Sequence, residues 1–519
     1  MQTKIQNPVL TGFNPDPCIL RVGKKYYLAT STFEYFPGVQ IYESDDLAEW
    51  RVIARPVVRD KEDMTGVPQG GGVWAPCLSY DGKRFYLVYS KMTVWSTDPY
   101  KDCENYVITA ERPDGVWSAP VYLNSDGFDA SLFHDGEKSY YMCMEWDYRK
   151  PFGSPQFTGI LLWEFDRVTL SLKGEAKKIF RGTDRGSVEG PHIYKVGEYY
   201  YLFTAEGGTK EEHAETVARS KDVFGPYEVH PDKHLISSYM TDNLLQKAGH
   251  ASLTDDGEGN YYIAHLCGRK IASGNCVLGR ETAIQNVVFR DGWPYLAHGG
   301  TQPRSFYTLP YAVEKKKKEG GRVEFNDYTL KNVYQSLRLP LDGKCKVISP
   351  RSVELTGGES IVSLHGQTLL AVRQTDPAFA ADFCMDFVPE KFSHLAGLIY
   401  RYNEANQYLL YVSYNEERGS AMLYVQSFRR GVYSYMDSGI PVGSRVWLRV
   451  EATPDGGQFC YSSDGKQYFP VGEKLDVSVL SDEAASPMGF TGAFVGMYVG
   501  DLSARKKVAR FTDFRYIPR

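Results

Sequence analysis

The 519-residue sequence lacks any apolar run of about 18 residues, the minimum for a membrane-spanning helix. It has no Cys-x-x-Cys motif and no Cys/His pattern with the spacing of a zinc module. Residues 1–13 contain no apolar stretch typical of a secretory signal. The net charge of −5 gives no basic face for nucleic acid. We therefore expect a cytoplasmic protein that binds neither a membrane nor nucleic acid.

The cysteines also argue against a disulfide framework. There are nine, an odd number, and Cys143 and Cys384 lie in apolar, strand-like runs, so buried free thiols are expected. The composition is unusually rich in aromatic residues, at 14% with 38 Tyr. Aromatic faces suit sugar-binding clefts, although Tyr also simply suits β-strands.

Helical periodicity is almost absent, and a β-type repeat takes its place. Five times a short polar turn ending in glycine precedes an aromatic strand, at intervals of 59, 54, 61 and 62 residues. A unit of about 40–60 residues made of strands and turns is typical of a β-propeller, with one blade per repeat. The five glycines are Gly23, Gly82, Gly136, Gly197 and Gly259.

The repeat predicts an all-β chain with two domains. Residues 1–305 form a five-bladed β-propeller, and the N-terminal residues are expected to supply the last strand of the fifth blade. Residues 306–322 form a solvated linker that contains four consecutive lysines and Gly-Gly. Residues 323–519 have hairpin patterns at a spacing of about 10–20 residues, which predicts an antiparallel β-sandwich.

Carboxylates recur where the blades converge. The innermost strand of each blade runs beside the central channel, so equivalent positions meet at one axis. Asp16 and Asp129 each precede their repeat glycine by seven residues, and Glu189 by eight. For Asp16, between two prolines, a structural turn is the alternative interpretation. Converging carboxylates repel one another and are costly to bury, so their recurrence indicates chemistry. The five positions hold Asp16, Trp74-Ala75, Asp129, Glu189-Gly190 and His250.

Three converging acids suit either a metal site or cleavage of a glycosidic bond. Glycoside hydrolysis needs one protonated carboxyl and one ionised carboxylate, and a third acid can raise the pKa of the proton donor. Positions on different blades suggest a separation of roughly 6.5–9.5 Å, which leaves room for a water and predicts inversion at the anomeric carbon. The pattern favours an inverting glycosidase.

Seven ordered motifs resemble glycoside hydrolase family 43, and within it the β-xylosidases that carry a concanavalin A-like sandwich. A C-terminal segment, Gly489-Phe-Thr-Gly-Ala-Phe-Val-Gly496, extends the resemblance over essentially the whole chain. The motifs are Phe13-Asn-Pro-Asp-Pro17, Ser31-Thr-Phe-Glu-Tyr-Phe-Pro-Gly38, Gly72-Val-Trp-Ala-Pro-Cys77, Gly127-Phe-Asp-Ala-Ser-Leu132, Val188-Glu-Gly-Pro-His192, Gly249-His-Ala-Ser252 and Gly279-Arg-Glu-Thr-Ala-Ile-Gln285.

The resemblance assigns roles to the acids. It implies that Asp16 is the general base, that Glu189 is the general acid, and that Asp129 orients the acid and raises its pKa. Arg280 would pair with the carboxylates and hydrogen-bond sugar hydroxyls. The alternative for Arg280 is an ion pair with its neighbour Glu281.

The resemblance also implies an aromatic pocket. Phe33, Trp74 and Trp146 would form its walls, with core packing as the alternative for Trp146. An aromatic residue of the sandwich would close it, assigned to Phe490 with Phe494 as the fallback. A closed pocket accepts one sugar at a chain end, which predicts exo-action.

His250 would lie at the floor of the channel beside water or a bound cation such as Ca²⁺, with a satisfied core histidine as the alternative. No cofactor is required. The expected substrates are xylo-oligosaccharides or arabinosyl oligosaccharides, since xylose and arabinofuranose present similar hydroxyls. The predicted activity is therefore that of an exo-acting 1,4-β-xylosidase, with α-L-arabinofuranosidase as a side or main activity. A non-catalytic sugar-binding propeller and a protein-interaction scaffold are the alternatives, and assembly into a homo-oligomer is common among similar enzymes.

Overall fold

The computed structural model describes residues 3–58, 63–96, 99–151, 153–313 and 320–519. Within these ranges the chain is nearly all β, as predicted, with one α-helix at Asp327–Asn332 and short 3₁₀ turns at Ser154–Gln156 and Val477–Val479. None of the described helices is long and apolar enough to cross a membrane. Residues 314–319 of the predicted linker, which include its four lysines, lie outside the described residues.

Five four-stranded antiparallel sheets follow one another along the chain and form the predicted five blades. The first strand of each blade, here called the inner strand, contacts the inner strands of the neighbouring blades. The inner strands therefore surround one channel. The strands are, blade by blade, Cys18–Val22, Lys25–Thr30, Gln40–Ser44 and Arg51–Ala54; Gly72–Tyr80, Phe85–Val94, Asp102–Ala110 and Val121–Asn124; Ser131–Asp135, Lys138–Trp146, Phe157–Asp166 and Ser171–Phe180; Glu189–Val196, Tyr199–Glu206, Ala214–Ser220 and Glu228–Ser237; and Gln246–Asp255, Tyr261–Gly268, Arg280–Arg290 and Trp293–Leu296.

The ring closes differently from the prediction. The expectation that the N-terminal residues form the last strand of the fifth blade is wrong, because Trp293–Leu296 fills that place. Thr3–Gln6 pairs instead with Phe306–Leu309, within the segment predicted as linker. The N-terminal segment still joins the first blade to the fifth, since the backbone N–H groups of Val9 and Leu10 donate to the carbonyl oxygen of Thr282.

The C-terminal domain is the predicted sandwich of two antiparallel sheets. Apolar side chains of both sheets, such as Phe383 and Leu398, pack into one core. The first sheet contains Gly321–Arg322, Cys345–Ser349, Ser352–Thr356, Phe379–Asp386, Arg445–Thr453, Gly456–Ser462, Phe469–Leu475 and Val508–Pro518. The second contains Thr368–Arg373, His394–Asn403, Asn406–Asn415, Ser420–Arg429, Val432–Pro441 and Phe494–Asp501.

The two domains pack against each other. Tyr35–Phe36 of the propeller pairs with Ser336–Leu337, which lies between the sandwich strands Gly321–Arg322 and Cys345–Ser349. A hydrophobic cluster also spans both domains and includes Phe33 of the first blade and Phe490 of the sandwich. The sandwich therefore places a loop of its own at the channel of the propeller.

Candidate active site

One residue at the start of each blade adopts the left-handed backbone conformation. The φ angles are 54° at Asp16, 33° at Ala75, 56° at Asp129, 58° at Gly190 and 48° at His250. This conformation costs roughly 1–2 kcal/mol for a residue with a side chain, and such strain is concentrated at functional sites. In the fourth blade a glycine takes the position, which explains why the carboxylate there is one residue earlier, at Glu189.

Three of these residues, Asp16, Asp129 and His250, line a cavity of about 740 Å³. Phe494, the fallback for the closing aromatic residue, is fully buried and stacks on Tyr35 at 3.8 Å between ring centroids. The cavity is lined by all nine residues predicted for the site, Asp16, Phe33, Trp74, Asp129, Trp146, Glu189, His250, Arg280 and Phe490.

Asp16 is held by two donors. The Ser31 hydroxyl donates to Oδ2 at 2.6 Å, and Nη1 of Arg280 donates to Oδ1 at 3.0 Å. The backbone N–H of Ala75 donates to the Ser31 oxygen at 2.7 Å, which orients the hydroxyl toward Asp16. The alternative partner of Arg280, Glu281, pairs with a different residue, Arg269. Both oxygens of Asp16 are thus acceptors, as suits an ionised carboxylate.

Asp129 and Glu189 are buried together and their pKa values are both raised. Burial, and then the charge of Asp16, raise the pKa of Asp129 to about 8. The backbone N–H of Gly190 donates to Asp129 at 3.0 Å and favours its ionised form. Burial, and then the charges of Asp129 and Asp16, raise the pKa of Glu189 well above its usual value. Asp129 thus has a backbone donor that favours its ionised form, whereas burial and both neighbouring charges favour the protonated form of Glu189.

His250 lies beside the carboxylate of Asp16, with Nδ1 at 3.8 Å from Oδ1. Burial lowers the pKa of His250 to about 4, although Asp16 opposes the shift, so the imidazole is neutral at pH 7. Ca²⁺ takes six to eight oxygen ligands, whereas the oxygens of Asp16 already accept from Ser31 and Arg280. This donor set does not favour Ca²⁺.

Aromatic rings form the wall above the acids. Phe33 stacks on Phe490 with 5.4 Å between centroids and an interplanar angle of 13°. Trp74 and Trp95 contact the Phe490 ring at 5.3 and 4.9 Å. The aromatic ring of Phe490, from the sandwich domain, is therefore part of the same apolar surface as the aromatic rings of the propeller.

Several residues that line the cavity were not predicted from the sequence, among them Trp95, Lys101 and Phe128. Phe128 precedes Asp129 in its motif and could have been found from it. Lys101 has no counterpart in the repeat, and its Nζ lies 4.3 Å from the ring centroid of Trp146 and 5.1 Å from that of Trp95. Its positive charge acts on Glu189 and opposes the rise in the pKa of that acid.

Residues 5–294 match Glycosyl hydrolases family 43, and residues 322–517 match the beta xylosidase C-terminal concanavalin A-like domain. The chain belongs to glycoside hydrolase family 43. Enzymes of this family invert the anomeric configuration. The predicted family, fold class and enzyme class are thereby confirmed.

The resemblance extends over the whole length of individual relatives. The chain is 42% identical to the beta-xylosidase of Bacillus subtilis (strain 168), with 99% of both chains covered. It is 43% identical to xylosidase/arabinosidase 43B of Humicola insolens, over 99% of this chain and 98% of the relative. The crystal structure of xylan beta-1,4-xylosidase from Bacillus halodurans C-125 has a TM-score of 0.94 at 41% identity, covering 99% of this chain and 100% of that one.

Proposed function

We propose that this family 43 enzyme releases xylose from the non-reducing ends of β-1,4-xylo-oligosaccharides. The observation that carries the proposal is the position of Phe490, a sandwich residue that stacks on Phe33 and lines the cavity of the three acids. A ring from a second domain blocks passage of a polymer along the propeller. Such a site favours a chain end over the interior of a chain.

The three acids divide the reaction between them. Asp16, held by Ser31 and Arg280, accepts a proton from a water molecule while the oxygen of that water bonds to the anomeric carbon. The bond to the leaving oxygen breaks at the same time, and Glu189 gives that oxygen its proton. Before this step, a negative charge on Asp129 raises the pKa of Glu189 by like-charge repulsion, so Glu189 still holds its proton. Attack and departure on opposite faces invert the configuration.

An α-L-arabinofuranosidase activity of the same site is a second proposal. Xylopyranose and arabinofuranose offer similar hydroxyls to Arg280 and the acids, and one full-length relative is named a xylosidase/arabinosidase. Neither sugar would require a change in the roles of the acids.

Hydrolysis of 4-nitrophenyl β-D-xylopyranoside and of 4-nitrophenyl α-L-arabinofuranoside tests both proposals. We expect faster cleavage of the xyloside, lost in Asp16→Ala and kept in the control Asp184→Ala, whose carboxylate pairs with Lys233 at the surface. A dominant arabinoside rate with the same loss would make arabinofuranosidase the main activity. Binding of xylobiose without cleavage of either glycoside would contradict both proposals in favour of a sugar-binding propeller.

A further inference from the structure

A second ring of side chains lines the channel next to the left-handed residues. The ring consists of the residue two positions after each left-handed residue. All five residues at these positions are buried. They are Cys18, Cys77, Ser131, His192 and Ser252, one from each inner strand.

Three members of this ring offer atoms that bind metals. The sulfurs of Cys18 and Cys77 and a ring nitrogen of His192 all lie within 4.8 Å of one another. In a tetrahedral zinc site, with Zn–S bonds of about 2.3 Å, ligand atoms are roughly 3.8 Å apart. A movement of about 1 Å or less would bring the three to that spacing. A site of two thiolates and one imidazole binds Zn²⁺ in preference to Ca²⁺ or Mg²⁺.

The backbone around the cluster offers an N–H donor to each sulfur, and the thiols, while they keep their protons, donate to the carbonyl oxygens of the same residues, Leu78 and Leu132. The N–H of Leu78 points to the Cys18 sulfur at 3.3 Å, and the N–H of Leu132 points to the Cys77 sulfur at 3.5 Å. Each donor belongs to the following blade. Such donors stabilise the negative sulfur and fix its position, as outer partners of metal ligands do.

The two serines of the ring have another role. Ser252 donates to the carbonyl oxygen of Pro17 at 2.6 Å, and Ser131 donates to that of Pro191. A cavity of about 300 Å³ borders Cys18, Cys77 and His192. It has room for a water as a fourth ligand.

We propose that Cys18, Cys77 and His192 bind one zinc ion, with water in the fourth position, and so join the first, second and fourth blades. Binding would release the thiol protons to solvent. Cys18, Cys77 and His192 do not line the cavity of the acids but a separate one, so the ion would lie outside the cavity of the acids. The proposal does not depend on the sugar that the enzyme cleaves.

Zinc titration of the tag-free, reduced full-length chain, freed of metal by a chelator, tests this site. We expect one Zn²⁺ per chain, and with Co²⁺ a thiolate-to-cobalt charge-transfer band in the near-ultraviolet. The affinity for Zn²⁺ should fall more than about 100-fold in Cys18→Ser and in Cys77→Ser. Loss of a group that only hydrogen-bonds to a metal ligand already lowers metal affinity about 10–100-fold. These variants are expected to fold, because serine already occupies the equivalent position in two other blades, at Ser131 and Ser252. The control Cys384→Ser removes a buried thiol of the sandwich and should leave binding unchanged.

A second readout separates this ion from catalysis. Removal of Zn²⁺ should lower the thermal midpoint of the wild type but not that of Cys18→Ser, with kcat on the xyloside unchanged at 25 °C. Zinc binding equal in the wild type and in the double variant Cys18→Ser/Cys77→Ser would overturn the proposal. So would a Cys18–Cys77 disulfide found by mass spectrometry in the freshly purified protein.

Discussion

Nη2 of Arg280 donates a hydrogen bond to the carbonyl oxygen of Phe490 at 3.1 Å, while Nη1 donates to Asp16 at 3.0 Å. The guanidinium also lies 5.3 Å from the ring centroids of both Phe33 and Phe490. One side chain of the fifth blade therefore holds the proposed general base and the sandwich loop that closes the cavity. Changes in that loop are expected to alter the reaction in the propeller.

Phe490→Ala removes the closing ring but keeps the carbonyl oxygen that Arg280 binds. We expect KM for xylobiose to rise about tenfold, which corresponds to about 1.4 kcal/mol of binding, with a smaller change in kcat. Steady-state kinetics measures this. Phe392→Ala, which removes a ring that is 72% exposed, serves as the control. An unchanged KM in Phe490→Ala would show that this ring does not bind the sugar.

Lys247 anchors the same loop from the propeller. It is 2% exposed, and its Nζ lies 3.2 Å from Asp482 and 2.6 Å from Glu483. Burial would lower the pKa of Lys247, but the two carboxylates raise it above the usual value.

Lys247→Met would leave the buried Asp482 and the more exposed Glu483 without their cation. We expect a loss of about 3–5 kcal/mol in the free energy of unfolding, measured in urea, together with a raised KM. Lys270→Met removes a more exposed pair with Glu211 and should cost less than about 1 kcal/mol. Equal losses in the two variants would contradict an anchoring role of Lys247.

Asp129→Asn tests the electrostatic coupling of the acids. Because the Asp129 charge contributes to the raised pKa of Glu189, removing it should lower that pKa. Glu189 would then lose its proton at lower pH, and the alkaline limb of kcat/KM on xylobiose would move to lower pH. The pH profile of the wild type is the reference. A limb that stays in place or moves to higher pH would contradict the proposed role of Asp129.

The repeat predicted the fold and much of the site because both follow from one local pattern. The left-handed residue at the start of each blade lies at a nearly constant distance from the turn glycine. Asp16 and Asp129 could thus be placed together without knowledge of the blade contacts. In the fourth blade Gly190 occupies the left-handed position. The acid, Glu189, lies one residue earlier and could still be recognised from the repeat.

Contacts between distant segments could not be predicted from the repeat. The loop containing Lys101 has no equivalent in other blades, and Phe490 was assigned through a family resemblance alone. The closure of the ring was predicted wrongly because the pairing of Thr3–Gln6 with Phe306–Leu309 depends on contacts between the two ends of the propeller. The Cys18–Cys77–His192 cluster likewise has no sequence spacing of a metal module and arises only when the ring closes.

The division of labour between Asp16 and Glu189 is the central claim, and leaving-group dependence tests it most directly. Rates of Asp16→Asn and Glu189→Gln should be measured on xylobiose and on 4-nitrophenyl β-D-xylopyranoside, whose leaving group needs little protonation. Asp16→Asn should lose activity on both substrates equally. Glu189→Gln should lose about 10²–10⁴-fold on xylobiose and much less on the nitrophenyl glycoside. Equal losses on both substrates in Glu189→Gln, or a selective loss in Asp16→Asn, would contradict the assignment.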